Sequence, residues 1–186
     1  MKTESTAKYI ARLALTLLLI TAVVAAALAA VNSITAPAIA RLNEEKTQKA
    51  IEKVLPGGGE PMAAGTYTDT TGWVSNVYQG EAGYAVEVTP STGFDGDITM
   101  MVGVDANGAV LNIDIISHTE TAGLGAVAAA ATSAGEAFRG QFVGMSGSVA
   151  VTKDGGRVDS ITGATITSRA ICDGVNAALA CVAAMG

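Results

Sequence analysis

The chain has 186 residues, of which 49% are hydrophobic and only 4% aromatic, with a formal net charge of −6. That is about one domain's worth of sequence, and a mean hydropathy of +0.41 is high for a wholly water-soluble protein. Residues 1–53 carry seven Lys/Arg against four acids, whereas 54–186 carry four (Arg139, Lys153, Arg157, Arg169) against thirteen, so the larger part repels phosphate backbones and excludes a nucleic-acid partner.

Leu13 to Val31 contains no charge, glycine or proline. As a helix rising about 1.5 Å per residue it spans roughly 28 Å, close to the ~30 Å hydrocarbon layer of a bilayer. A cleaved secretory signal is the alternative: Lys2, Lys8 and Arg12 form a basic leader, and Ala27-Leu28-Ala29 resembles a cleavage site. The apolar run exceeds the usual signal core and stays uncharged to Ala40, which favours a retained anchor. Three Lys/Arg precede it and four follow, so flanking charge leaves the orientation open. Either reading exports the following domain if the N-terminus stays in the cytoplasm.

Pro37 is expected to interrupt the anchor, and Arg41 to Val54 reads as an exposed helix with Leu42, Ala50, Ile51 and Val54 at helical spacing. Pro56-Gly57-Gly58-Gly59 ends it, and residues 60–72 read as loop. Trp73–Tyr78 and Gly83–Thr89 have the β-branched and aromatic content of strands. Ile98–Asp105 and Ala109–Ser117 are strands joined by an Asn107-Gly108 hairpin turn. Simple alternation puts Val110, Asn112, Asp114 and Ile116 on one side of the second, with Leu111, Ile113 and Ile115 on the other. Ala126–Arg139 reads as one Ala-rich helix, Ser148–Lys153 as a short strand before a turn at 154–156, and Thr167–Ala184 as an apolar-faced helix. This order predicts an α+β fold with a mostly antiparallel sheet, not a doubly wound one.

Cys172 and Cys181 are nine apart in one predicted helix, about 13.5 Å along its axis and on opposite faces, too far for a disulfide. Both read as free, buried small hydrophobes. The single histidine, His118, leaves little material for a zinc site or a Ser-His hydrolase, and no metal site is expected.

Two segments carry candidate chemistry. Residues 159–168 (DSITGATITS) place hydroxyls and one glycine just before a helix. Glycine allows close backbone approach, and first-turn N–H groups favour an anion such as a phosphate, with Arg169 available as a cation. An ordinary Ser/Thr helix cap is the competing reading. Residues 118–125 (HTETAGLG) lie between a strand and a helix. Gly123, Gly125 and Ala128 fit G-x-G-x-x-A, yet Phe142–Val151 lacks the acid that a dinucleotide fold requires. A backbone-rich loop against which a flat ligand lies, with Thr121 hydrogen bonding, fits better. His118 reads as a half-buried strand-end histidine, and Ser117, His118 and Glu120 are too close in sequence to form a triad.

With these segments in order behind an apolar helix, the chain resembles the extracytoplasmic FMN-binding domain family. That family occurs in Rnf-type electron-transport complexes and in sodium-pumping NADH:quinone reductases. The 159–168 segment resembles its flavinylation motif, 118–125 its H-x-E-T-P-G-L-G loop, and Gly93-Phe94-Asp95-Gly96-Asp97 its G-F-x-G-x segment. Order and spacing resemble the Rnf members more than the sodium-pump ones. Ala122 stands where the family has proline, which restores an N–H and frees φ.

The resemblance implies FMN joined through its phosphate to Thr165. Thr162, Gly163, Ala164, Ile166, Thr167, Ser168, Glu120, Thr121, Leu124 and Gly125 complete the implied cofactor site. It further implies a separate flavin transferase that recognises Asp159 and the hydroxyl run, other Rnf membrane subunits as partners, and no catalytic residue or independent turnover in this chain. The expected layout is a cytoplasmic 1–12, a transmembrane 13–31, a juxtamembrane helix and linker 32–59, and an extracytoplasmic FMN-binding domain 60–186. A flavoprotein of another respiratory chain and a non-redox anchored interaction domain are the alternatives. Trp73, Tyr84 and Met100 are stacking candidates or plain core.

Overall fold

A computed structural model describes residues 6–63 and 65–185. The chain divides into two compact units, Met1–Glu45 and Lys46–Gly186. Helix α1, Thr6–Val54, supplies most of the first and the opening turns of the second. The expected interruption at Pro37 does not occur, because that proline lies inside α1. An interior proline removes one backbone bond. Thr35 Oγ1 donates to the Val31 carbonyl at 3.0 Å and Ser33 Oγ to that of Ala30 at 2.8 Å, so neither hydroxyl reaches the Ser33 carbonyl that the proline leaves without its helical donor. The helix nonetheless runs on through this single lost bond. An 18-residue window of α1 reaches a mean hydropathy of 2.6 with none of it buried, long and apolar enough to cross a membrane.

The second unit is built on a five-stranded antiparallel sheet in sequence order: β1 Glu60–Pro61, β2 Val74–Gly80, β3 Gly83–Val88, β4 Ile98–Asp105 and β5 Val110–His118. Adjacent strands pair with their chain neighbours, β2 with β3 and β4 with β5 through short turns and β3 with β4 through the longer stretch 89–97. Helix α3, Thr165–Ala183, covers one face: Ile171, Val175, Ala178 and Val182 pack with Val86, Met100, Val102 and Val104. Although α3 is also apolar enough to span a bilayer, two-thirds of it is buried, which makes it a core helix. On the other face Ala50, Ile51, Val54 and Leu55 pack with Ala85 and Met101. The stretch expected to be exposed thus buries one side. Gly103 permits this approach, since a Cβ there would stand 2.0 Å from the Val54 carbonyl oxygen.

Strand β5 departs from simple alternation. Thr99 and Met100 pair with Ser117 and Ile115, while Gly103 and Val104 pair with Asn112 and Val110, so Ile116 and Leu111 are extra residues. These bulges turn Val110, Ile113 and Ile115 toward α3, and Leu111 and Ile116 toward the end of α1.

The predicted 126–139 helix is two pieces, a 3-10 turn over Gly125–Ala129 and helix α2 over Ser133–Gly140. Thr132 caps α2 by accepting from Gly135 N, and Arg139 Nη1 donates to the carbonyls of Ala128 and Ala130 across the break. Gly135 seats α2 on the preceding turn, where a Cβ would lie 2.3 Å from the Ala130 oxygen. Residues 148–153 form no strand. A single parallel bridge, Val151 to Val158, brackets a 3-10 turn over Thr152–Asp154, closed by Gly155 at φ 86°.

Candidate functional site

Helix α3 begins two residues earlier than its sequence signals, so Thr165 is its first residue. Its N-cap is Ala164, which offers no side chain to the free N–H groups. The ordinary Ser/Thr cap is therefore excluded, and the first-turn amides remain without a side-chain acceptor at this end. The turn before it uses Gly163 at φ +79°, a backbone conformation that side chains disfavour.

Three loops converge on this point, and Glu120 joins them. It is 7% exposed, and its carboxylate accepts from Phe94 N at 2.8 Å, from Asp95 N at 3.4 Å and from Thr167 Oγ1 at 2.7 Å. A buried carboxylate of this kind is stabilised by donors on every side. The Gly93–Asp97 loop, the loop after β5 and the start of α3 are thereby pinned together. Thr119 Oγ1 adds a bond to the Asp95 carbonyl at 2.6 Å. Gly125 leaves room for the carboxylate, since a Cβ there would lie 2.3 Å from Glu120 Oε2.

Above this junction lies a cleft of about 270 Å³. Glu120, Thr121, Leu124, Gly125, Gly163, Ala164, Thr165, Ile166 and Thr167 line it, so the structure brings together nine of the eleven residues expected to form the site. Thr162 lies instead in a neighbouring groove against α2. Ser168 is fully buried, donating to the Ala164 carbonyl at 2.9 Å and accepting from Ile161 N at 3.0 Å, which stiffens the turn from beneath. Gln141 holds the same segment from outside through both the N–H and carbonyl of Asp159, at 2.7 and 3.2 Å.

Two lining residues, Phe94 and Lys153, are not among the site residues that the sequence suggests. Phe94 belongs to the Gly93–Asp97 segment, and its exposure of 66% on a loop tip is not legible from pattern. Lys153 Nζ lies 3.0 Å from Thr165 Oγ1. No spacing rule links them, because the lysine comes from an irregular turn twelve residues upstream. Arg169, expected to lend its charge to the motif, is engaged elsewhere, with Nε and Nη2 at 2.7 and 2.8 Å from the Asp154 carboxylate. That pair holds the Asp154 carboxyl below its ordinary 3.8, chiefly through the Arg169 hydrogen bond.

Met100 is fully buried, and Trp73 and Tyr84 pack against the same core, so none of the three lines the cleft. His118 is half-buried at the end of β5, and its Nδ1 is enclosed without a hydrogen-bond partner. Cys172 and Cys181 are free and buried, and burial pushes the Cys172 thiol up to about 12.

The cleft joins an apolar rim (Phe94, Leu124, Ile166) to a hydroxyl, an ammonium and free helix N–H groups. That combination fits an aromatic ring carrying a phosphate. Residues 93–180 match the family of FMN-binding domains, and every residue that lines the cleft lies within that span.

Relatives place the whole chain. It is 32% identical to the G subunit of the Na(+)-translocating ferredoxin:NAD(+) oxidoreductase complex of Acetobacterium woodii, over 91% of this chain and 89% of that one. It is 32% identical to the G subunit of the ion-translocating oxidoreductase complex of Methanosarcina acetivorans, over 97% and 98%. The corresponding G subunit of Pseudomonas aeruginosa is 29% identical over 81% and 78%. The chain belongs to the family of G subunits of ion-translocating oxidoreductase complexes.

Proposed function

We propose that this chain is a covalently flavinylated electron carrier in an ion-translocating ferredoxin:NAD+ oxidoreductase of the Rnf type, with FMN esterified through its phosphate to Thr165. The observation that carries this reading is the position of Thr165: a half-buried hydroxyl on the first residue of α3, opening into the cleft. Bound FMN supplies one- and two-electron redox chemistry. The first-turn amides of α3 stabilise a phosphate charge, and Phe94, Leu124 and Ile166 offer apolar surface to a ring. A cleft just below the ~300–1,000 Å³ typical of small-molecule sites leaves part of a flavin in solvent, which suits contact with redox partners. Tethering prevents loss by dissociation.

In this reading residues 13–31 cross the membrane, 1–12 stay in the cytoplasm, 32–59 connect, and 60–186 carry the cofactor outside. A flavin transferase makes the bond, and the other Rnf subunits are the redox partners. Similarity to G subunits whose names specify ion-translocating oxidoreductase complexes supports the assembly.

The test is co-expression of the full chain with a flavin transferase, followed by a denaturing gel. A fluorescent band that disappears in Thr165→Ala is expected. Absence of the band in the wild type, or its persistence in the variant, overturns the reading. Proteolysis of intact cells against broken cells reports which side of the membrane holds residues 60–186.

A further inference from the structure

We propose that Lys153 is the positioning cation of the flavinylation site, preparing the Thr165 oxygen for esterification and then neutralising the phosphodiester. This rests on Thr165 being the attachment point.

Among the described residues that line the cleft, Lys153 is the one cation and Glu120 the one acid. Glu120 is occupied by Phe94 N, Asp95 N and Thr167 Oγ1, so it does not neutralise the lysine. Arg169 is committed to both oxygens of Asp154. The 3-10 turn over Thr152–Asp154 therefore divides two jobs between adjacent side chains. Asp154 anchors the turn to α3 through Arg169, while Lys153 delivers its ammonium to Thr165 Oγ1 at 3.0 Å. Residues 165 and 169 are i and i+4 on one helix face, so one turn addresses both.

In the transfer, the Thr165 oxygen bonds to the flavin phosphorus and the phosphoanhydride bond of a flavin dinucleotide breaks. The electron pair leaves with the displaced nucleoside monophosphate, and the hydroxyl proton passes to the transferase or to solvent. An ammonium has no lone pair to take that proton. It acts by favouring negative charge on the oxygen beside it. The product ester keeps one negative charge on its phosphoryl oxygens next to the same group.

The test measures initial flavinylation rates of the full-length chain in detergent, with purified flavin transferase and flavin adenine dinucleotide. Lys153 is exposed, so its replacement leaves the core intact, and circular dichroism checks each variant. The expected result is a rate about tenfold lower in Lys153→Gln, as for loss of one charged donor at a site of developing charge, with most of the rate kept in Lys153→Arg. Equal rates in wild type and Lys153→Gln overturn the inference while leaving the tether intact. Equal losses in Lys153→Gln and Lys153→Arg assign the effect to packing and overturn it as well. A wild-type chain that takes up no flavin instead overturns the Thr165 reading beneath it.

Discussion

Thr167 Oγ1 donates to Glu120 Oε2 at 2.7 Å, joining residues 47 apart in sequence, with both side chains buried. This contact sets the height of the cleft floor, because the same carboxylate holds the Phe94 loop. Glu120→Ala leaves two amides and a hydroxyl without their acceptor. Each buried donor so orphaned costs about 1–3 kcal/mol. We expect Glu120→Ala to lower unfolding free energy by about 3 kcal/mol or more, and Thr167→Val by about 1 kcal/mol. A double-mutant cycle in urea checks this: the two effects should not add, since they share a bond.

Gly125 and Gly123 differ in a way that alanine substitution reads directly. At Gly125 a Cβ would meet Glu120 Oε2 at 2.3 Å and Thr167 Oγ1 at 2.6 Å. At Gly123 it would meet nothing within 4 Å, although φ is +76°. Gly125→Ala should cost about 2–3 kcal/mol by overpacking and weaken flavin retention in a Thr165→Ala background. Gly123→Ala should cost about 1 kcal/mol, the strain of left-handed backbone. Thermal unfolding separates the two.

The sheet face toward α1 offers another test. Gly103→Ala drives a methyl into the Val54 carbonyl oxygen, which only a backbone shift relieves. We expect a loss of about 3 kcal/mol. The Lys53–Asp114 pair on the same face is largely exposed on the lysine side, so Asp114→Asn should cost under about 1 kcal/mol. Hydrogen exchange of the Ala50–Leu55 amides should rise in the first variant and not in the second.

Acid should destabilise the domain through three aspartates. The Ala109 amide first, then Asn107, hold Asp105 below its ordinary 3.8. The Arg169 guanidinium does so for Asp154. At Asp69, burial works upward, but bonds from Thr71 and Val74 outweigh it and the carboxyl is again lowered. A carboxyl depressed in the folded state contributes stability above its unfolded value. That contribution is lost as pH falls through the folded value. Urea midpoints should therefore hold steady down to about pH 4 and fall below it, less steeply in Asp154→Asn.

Much of this architecture is readable because local signals agree with the global fold. Strand β4 ends where its apolar run ends, and the Asn107-Gly108 turn pairs it with β5. The cluster 159–168 carries its glycine and hydroxyls openly, so the cleft wall is visible in the chain itself. Other features depend on contacts without local signature. Pro37 reads as a breaker, yet it removes only one bond from a 49-residue helix that continues through it. The alanines of 126–139 favour one helix, yet Gly135 packing on Ala130 and the Thr132 cap divide it. Lys153 looks like any surface lysine until the fold carries it to Thr165. Arg169 looks available until Asp154 is placed beside it.

The two extra residues of β5 leave a mark on what this strand tolerates. Leu111 and Ile116 lie in the layer opposite Val110, Ile113 and Ile115, and each is a surplus position against β4. Deleting either one would remove its bulge and leave the flanking residues facing their present partners, at the cost of one apolar side chain in the layer against α1. Deleting a paired residue such as Ile113 would instead exchange the faces of the neighbouring segment. For β5, where a codon is lost therefore matters more than that one is lost.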